Sequence, residues 1–287
     1  MGGNGRCFKF NKTAILLLIG VMFLSVSTQT FAEKTPGSEL SNNIQTELTD
    51  EVILSLTGDD LEELYIILVD YKESNPDATE EDLDEIATEF YIETYNKNKD
   101  IVRPFGWYDN LLESATGMNS QEVALSKQYP SDLAAVYSTS KMANAESGRR
   151  YNSGALLGNQ DAFRHTAWNA LLVQRFYRLG KGNVTQVMAK TKMWTDAHED
   201  GATNPGFSSS QWAQDKSMDL LNNAAGRYIG ETYYDTAESL ILERVQYYID
   251  NGFCQKIKTN SQMEYTFEQM KAIPTWNLSA TNTTGKK

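Results

Sequence analysis

Apolar and polar positions recur with a helical period along most of the chain. Leu61, Leu64, Tyr65 and Leu68 stand at i, i+3, i+4 and i+7, and Leu83, Ile86, Ala87 and Phe90 repeat that spacing, so each set falls on one helix face. Asn75-Pro76-Asp77 makes a turn between them, and Thr79 is placed to cap the second helix. This predicts a helical hairpin over 58–100. An aperiodic linker over 101–118, with Pro104 and two glycines, separates it from further helices at 120–128, 131–145, 160–179, 184–199, 211–228 and 237–249. Pro130 divides the first two of these, because proline disfavours helix in the residue before it and is tolerated at a helix start. Asn159 is the expected cap of the third, with Asp161 in its first turn, where the helix dipole favours negative charge. Beyond Asn251-Gly252, CQKIKT and MEYTF read as a small hairpin about Asn260-Ser261, and 276–287 as a frayed tail. The fold class expected is mainly α: a helical bundle-like domain over 119–275 with a small C-terminal β-hairpin, preceded by the acidic helical hairpin.

The helix at 160–179 breaks the usual division into an apolar and a polar face. Its apolar residues wrap most of the circumference, so it is expected to be buried, yet Asp161, His165 and Asn169 line up on one side at intervals of four. Arg164, Arg175 and Arg178 fall on another side that can reach water. The 211–228 helix has a similar oddity, a stripe of Asp219, Asn222, Asn223, Gly226 and Gly230. Glycine weakens a helix, so two on one stripe point to close approach of another backbone.

The ends and the charge change the picture. Residues 1–12 carry Arg6, Lys9 and Lys12 without an acid, TAILLLIGVMFLSVS follows, and Thr30-Phe31-Ala32 supplies small residues at a cleavage position. That is the pattern of a secretory signal peptide over 1–32, cut after Ala32, and its apolar run is short for a bilayer span. A flexible leader is expected over 33–57, and the mature protein is expected outside the cytoplasm. Cys7 lies in the removed segment, leaving Cys254 without an intrachain partner, so stability has to come from a packed core. The net charge of −12 is concentrated: residues 33–100 hold 20 acids and 4 bases, and residues 101–287 hold 18 and 19. The acidic hairpin is expected to present a solvated face. Nothing resembles the basic stripe of a nucleic-acid binder, and no partner is specified beyond an expected component of the cell envelope.

Burying amides and carboxylates without partners costs on the order of 1–3 kcal/mol each, so Asp161, His165, Asn169, His198, Asp219, Asn222 and Asn223 must satisfy one another or an ion. Two readings are open. In one, the network only fixes helices in register. In the other, His165, His198, Glu199 and an aspartate gather in a cleft, with a histidine as base or metal ligand and a carboxylate holding its other ring nitrogen. The chain holds only two histidines, and both lie in these stretches. A divalent metal would take His165, His198, Glu199 and Asp219, assembled across helices, because His198-Glu199 lacks the second histidine of HExxH. No GxSxG elbow is present.

The blocks DAFRHTAW, TDAHE and MDLLNNAAGR occur in that order and together resemble an uncharacterised bacterial domain family found in secreted and toxin-like proteins, with the pattern DAFRHxxW, AHE, MDLxNNxxGR. The resemblance covers about 120–270 and implies an all-helical core. It makes Asp161, Arg164, His165, Trp168, His198, Glu199, Asp219, Asn222, Asn223 and Arg227 motif positions. Leu221 stands where that family commonly has histidine, which argues against a required ligand there. The expected function is a hydrolase of ester or phosphodiester bonds, with His165, Asp161, His198 and Glu199 catalytic and Arg164, Trp168, Asn169, Asn222, Asn223 and Arg227 binding. The alternative is a non-catalytic cell-envelope binding or scaffold domain.

Overall fold

The computed structural model describes residues 48–98, 118–152, 154, 156–201, 206–257 and 277–287. The segments expected as signal peptide, most of the leader and of the linker, and the MEYTF strand lie outside the described residues, which all fall in one unit, Glu47–Lys287. Helices α1 (Asp50–Leu54), α2 (Gly58–Ser74), α3 (Glu80–Asn98), α4 (Ser120–Gln128), α5 (Pro130–Arg150), α6 (Asn159–Arg178), α7 (Val184–Gly201), α8 (Ser209–Tyr233) and α9 (Glu238–Asp250) precede two short strands, β1 (Gln255–Ile257) and β2 (Leu278–Ala280). Among the described residues the protein is therefore mainly helical, as the periodicity predicts.

Local side-chain chemistry sets several helix starts. Thr57 with Asp60, Asn119 with Glu122 and Ser208 with Gln211 form reciprocal capping boxes, each satisfying two backbone donors that a helix start leaves open. Thr79 and Asp82 exchange the same pair of bonds ahead of α3. At α6 the cap is Gly158, without a side-chain bond, and not Asn159. Asn159 instead turns into the protein, where its amide Nδ2 donates to the carbonyls of Asn282 at 2.8 Å and Thr284 at 2.7 Å.

α6 is the hub, packed against α5, α7, α8 and α9. Phe163, Ala167, Leu171, Leu172 and Phe176 are fully buried, each large side chain among them stabilising the fold by roughly 1.5–3 kcal/mol. Because α6 is enclosed this way, Arg175 does not reach water as expected. It donates to Ser138 Oγ, lies 3.2 Å from Glu238 and stacks over Tyr65.

Three further expectations are corrected. Residues 48–57, expected within a flexible leader, contribute α1, with Leu48, Val52, Ile53 and Leu56 in the core. The acidic hairpin is not simply a solvated face. Leu61, Leu64, Leu68, Leu83, Ala87 and Tyr91 join the same core as α6, and Tyr91 donates to the Pro130 carbonyl at 2.7 Å. Finally, β1 pairs antiparallel with β2, Lys256 opposite Ser279, so its partner comes from the segment expected to fray. That segment also bridges Tyr151 through Lys286.

Candidate functional site

Two helices each bring a pair of polar side chains four residues apart to one buried place: Asp161 and His165 on α6, Asp215 and Asp219 on α8. α7 adds Glu199 from its last turn. The approach of α8 to α6 depends on the glycine stripe. A Cβ at Gly226 would collide with the Thr166 carbonyl and come within 2.7 Å of Asn169 Cβ, and one at Gly230 would sit 2.7 Å from Val173 Cβ. Close backbone approach, inferred from the stripe, is what the structure has.

His165 stands in the middle. Its Nε2 lies 3.5 Å from Asp161 Oδ1 and 3.4 Å from Asp219 Oδ1, and its Nδ1 lies 3.3 Å from Glu199 Oε1. The contacts of Nδ1 with Glu199 and of Asp219 Oδ1 with the ring are in ion-pair range without hydrogen-bond alignment, so both atoms are buried and lack a hydrogen-bond partner. Arg164 pairs with Asp161 Oδ1, while Asp161 Oδ2 accepts from the Leu157 backbone N–H at 2.6 Å.

The charges are unevenly compensated. Burial opposes ionisation of Asp161, but Arg164 and His165 outweigh it and hold the carboxyl below its usual range. Glu199 is likewise lowered: burial opposes, and the contacts with His165, His198 and Asn223 prevail. Burial, reinforced by Asp161, Glu199 and Asp215, pushes Asp219 well up against the pull of His165. Asp215 is raised to about 7 by burial and the charges of Asp161 and Glu199. Burial works against a charged His165, but Asp219, Asp161 and Glu199 overcome it, so the imidazole is pushed well above its ordinary value. Four carboxyl groups thus face two cationic side chains, the imbalance that a divalent cation relieves.

Ligand atoms of Asp161, His165 and Asp219 all lie within 4.8 Å of one another. Two carboxylates and an imidazole suit divalent ions from magnesium through zinc. Glu199, on the other side of the ring, stands where an orienting carboxylate stands behind a metal-bound histidine. It is fixed in turn by a chain of amides. Asn223 Nδ2 donates to Glu199 Oε1 at 3.1 Å; Asn169 Nδ2 donates to Asn223 Oδ1 at 2.7 Å and to the His165 carbonyl at 3.0 Å. Asn169 Oδ1 accepts from Arg227 at 3.0 Å and Thr195 at 3.1 Å.

Not every expected site residue joins this group. His198 is outside it: its Nδ1 lies 3.0 Å from Glu122 Oε1, and its ring meets Trp168 edge-on at 5.2 Å between centroids. As a metal-ligand set, His165, His198, Glu199 and Asp219 is therefore not brought together, and Asp161 takes the third position. Asn222 sits apart as well, exchanging two hydrogen bonds with the Gln255 backbone at 2.8 and 3.0 Å and so docking β1 on α8. Trp168 Nε1 donates to the Val136 carbonyl at 3.3 Å.

His165, His198, Arg164 and Trp168 meet at a cavity of about 380 Å³, with Met118, Glu122 and residues of α5 forming the rest of its wall. Glu122 and Asp215 are absent from the sequence-based set. Glu122 is masked by its role in the Asn119 capping box, its Oε2 accepting from the Asn119 N–H at 2.8 Å. Asp215 had a signal, its spacing of four from Asp219, which repeats that of Asp161 and His165.

Residues 123–253 match the model of a family described as a domain of unknown function (DUF6973), and all three sequence blocks lie within the match. No curated protein and no solved structure matches the chain.

Proposed function

We propose that the domain matched over residues 123–253 is a hydrolase of ester or phosphodiester bonds, with a divalent cation held by Asp161, His165 and Asp219. The observation that supports this most is that His165 belongs both to the three-residue donor group and to the wall of the cavity. A bound divalent cation supplies charge stabilisation and a more acidic water. The chain's own residues do the rest. Glu199 puts a carboxylate 3.3 Å from Nδ1 of His165, the position from which it would steady the ring once a cation is bound, and the Asn223–Asn169–Arg227 chain keeps Glu199 in place. Glu122 occupies Nδ1 of His198, which directs proton uptake to Nε2 on a half-exposed ring at the cavity. Arg164 places a positive charge on the same wall.

The basic start and apolar run of residues 1–27 support an extracytoplasmic place of action, and no helix among the described residues is long and apolar enough to cross a membrane. A second reading, a non-catalytic scaffold, is favoured by the completeness of the Asn169 hydrogen bonding. Hydrolysis of bis(p-nitrophenyl) phosphate and p-nitrophenyl butyrate separates the two. The proposal expects turnover of one of them, abolished by chelator, restored by a divalent ion, and reduced about 10²-fold or more in His198→Gln. Metal-loaded protein inert on both substrates would favour the scaffold.

A further inference from the structure

Along α5 the wall of the cavity passes from apolar to polar, from Leu133 and Val136 to Ser140, Lys141 and Asn144. These positions form one helical stripe extending about 16 Å at 1.5 Å per residue. α6 runs past it in the opposite sense. Trp168 donates to the Val136 carbonyl, whereas Phe163, further back on α6, packs against Tyr151 just past the end of α5. Trp168 therefore lies toward the apolar end, and His165 toward the polar end.

Every basic side chain of this wall already faces an acid. Lys141 pairs with Glu62 at 2.9 Å, and Arg164 with Asp161. His198 meets Glu122 through Nδ1 at 3.0 Å, and the ring nitrogens of His165 face the carboxyl groups of Asp161, Asp219 and Glu199. Behind the wall the acids are in excess, Asp161, Glu199, Asp215 and Asp219 against Arg164 and His165, and a bound divalent cation would do no more than level the count. The net charge of −12 over the whole chain adds repulsion of anions at longer range. An anion entering here would lose its water without gaining an uncommitted cation, which is costly. What the wall does offer is apolar surface and uncharged polar groups. The Ser140 hydroxyl donates to the Tyr137 carbonyl at 2.9 Å and keeps its lone pairs as acceptors, and the Asn144 amide both donates and accepts. A volume of about 380 Å³ lies in the range of small-molecule sites, roughly 300–1,000 Å³.

We infer that of the two bond types in the hydrolase reading the site takes the carboxylic ester: the cavity binds an uncharged ester, its hydrocarbon chain against Leu133, Val136 and Trp168 and its carbonyl at the polar end beside His165. Calling the ester a substrate rests on that reading; the preference for an uncharged, chain-bearing ligand over an anion does not. In the reaction the oxygen of water bonds to the carbonyl carbon and the bond to the alkoxy oxygen breaks. One proton of the water ends on that oxygen, leaving an acid and an alcohol.

The test is calorimetric titration of the purified chain with methyl heptyl ketone, a neutral stand-in for the ester that cannot be hydrolysed, beside octanoate, hexyl phosphate and methyl ethyl ketone. Saturable one-to-one binding of methyl heptyl ketone is expected, with each of the other three weaker by at least about tenfold. Glu62→Gln, at a half-exposed position outside the wall, releases Lys141 and is expected to strengthen octanoate binding about threefold without changing that of the ketone. Val136→Trp, which fills the apolar end, is expected to weaken the ketone about tenfold, and Glu62→Gln keeps the test readable if that variant does not fold. Octanoate or hexyl phosphate bound as tightly as methyl heptyl ketone, equal binding of the two ketones, no saturable ketone binding, or no gain for octanoate in Glu62→Gln overturns the inference. With a divalent ion supplied, turnover of p-nitrophenyl octanoate and not of bis(p-nitrophenyl) phosphate is expected, and the reverse overturns it. Selective ketone binding by a protein that hydrolyses neither would sustain the preference for an uncharged ligand and defeat the hydrolase reading.

Discussion

Among single residues, Asp215 gives the clearest measure of how the buried carboxyl cluster is strained by its own charge. Its folded pKa is raised to about 7, against about 3.9 in an unfolded chain. Between those values the folded protein keeps a proton that the unfolded chain releases, so stability from this group is full below about pH 4 and is lost as the pH rises toward 7. In chelator-treated protein, Asp215→Asn is expected to remove that loss. Urea unfolding at pH 4.5 and 7.5 should show the variant gaining on the wild type at the higher pH. An equal difference at both pH values would contradict the assigned environment. Cys254 is a contrasting case, a buried thiol pushed up to about 11 by burial and touching Thr166 Oγ1 at 3.5 Å, and so poorly suited to act as a nucleophile.

At the scale of elements, the α6–α8 contact positions the site, and the two glycines are what permit it. Gly226→Ala would gain helix propensity but force a methyl against the Thr166 carbonyl, and a net destabilisation of about 1–3 kcal/mol is expected in thermal unfolding. A neutral or stabilising result would mean the helices can part freely. Asn222→Ala removes both side-chain bonds to Gln255, and faster hydrogen exchange at the Gln255 amide is the expected outcome. The helices and the α6–α8 approach were legible because a 3.6-residue apolar period and a glycine stripe are local patterns. The pairing of β1 with β2 was not, since three-residue strands whose paired ends, Ile257 and Leu278, lie 21 positions apart leave no periodic signal. All of the buried cluster but Asp215 was visible as polar residues among apolar ones. Glu122 was hidden because a capping glutamate looks the same whether or not it also holds a histidine.

For the whole molecule, charge turns out to be structural where composition suggested mere solvation. Lys181 is enclosed beside Asp132 at 3.2 Å, Glu80 at 3.4 Å and Asp84 at 3.7 Å, and Lys190 reaches Glu80 at 2.6 Å and Asp132 at 2.9 Å. Two acids of the hairpin therefore neutralise lysines of the helical core and bind the hairpin to α5 and α7. Counting charges along the sequence does not reveal this, because the partners lie about a hundred positions away. Lys181→Met is expected to cost about 3–5 kcal/mol by leaving buried carboxylates short of a cation. Lys127→Met, which breaks the exposed pair with Asp50, is expected to change stability by less than about 1 kcal/mol. Similar losses for the two variants in urea unfolding would refute the structural role. The central claim concerns the Asp161–His165–Asp219 group, and its most direct test is divalent-cation binding, followed by calorimetry and by melting temperature. One equivalent is predicted to bind, absent in Asp219→Asn, and at a hundredfold excess over the dissociation constant to stabilise the fold by about 2.7 kcal/mol. Full-strength binding in Asp219→Asn, or no uptake and no change in melting temperature with any divalent ion, would contradict it.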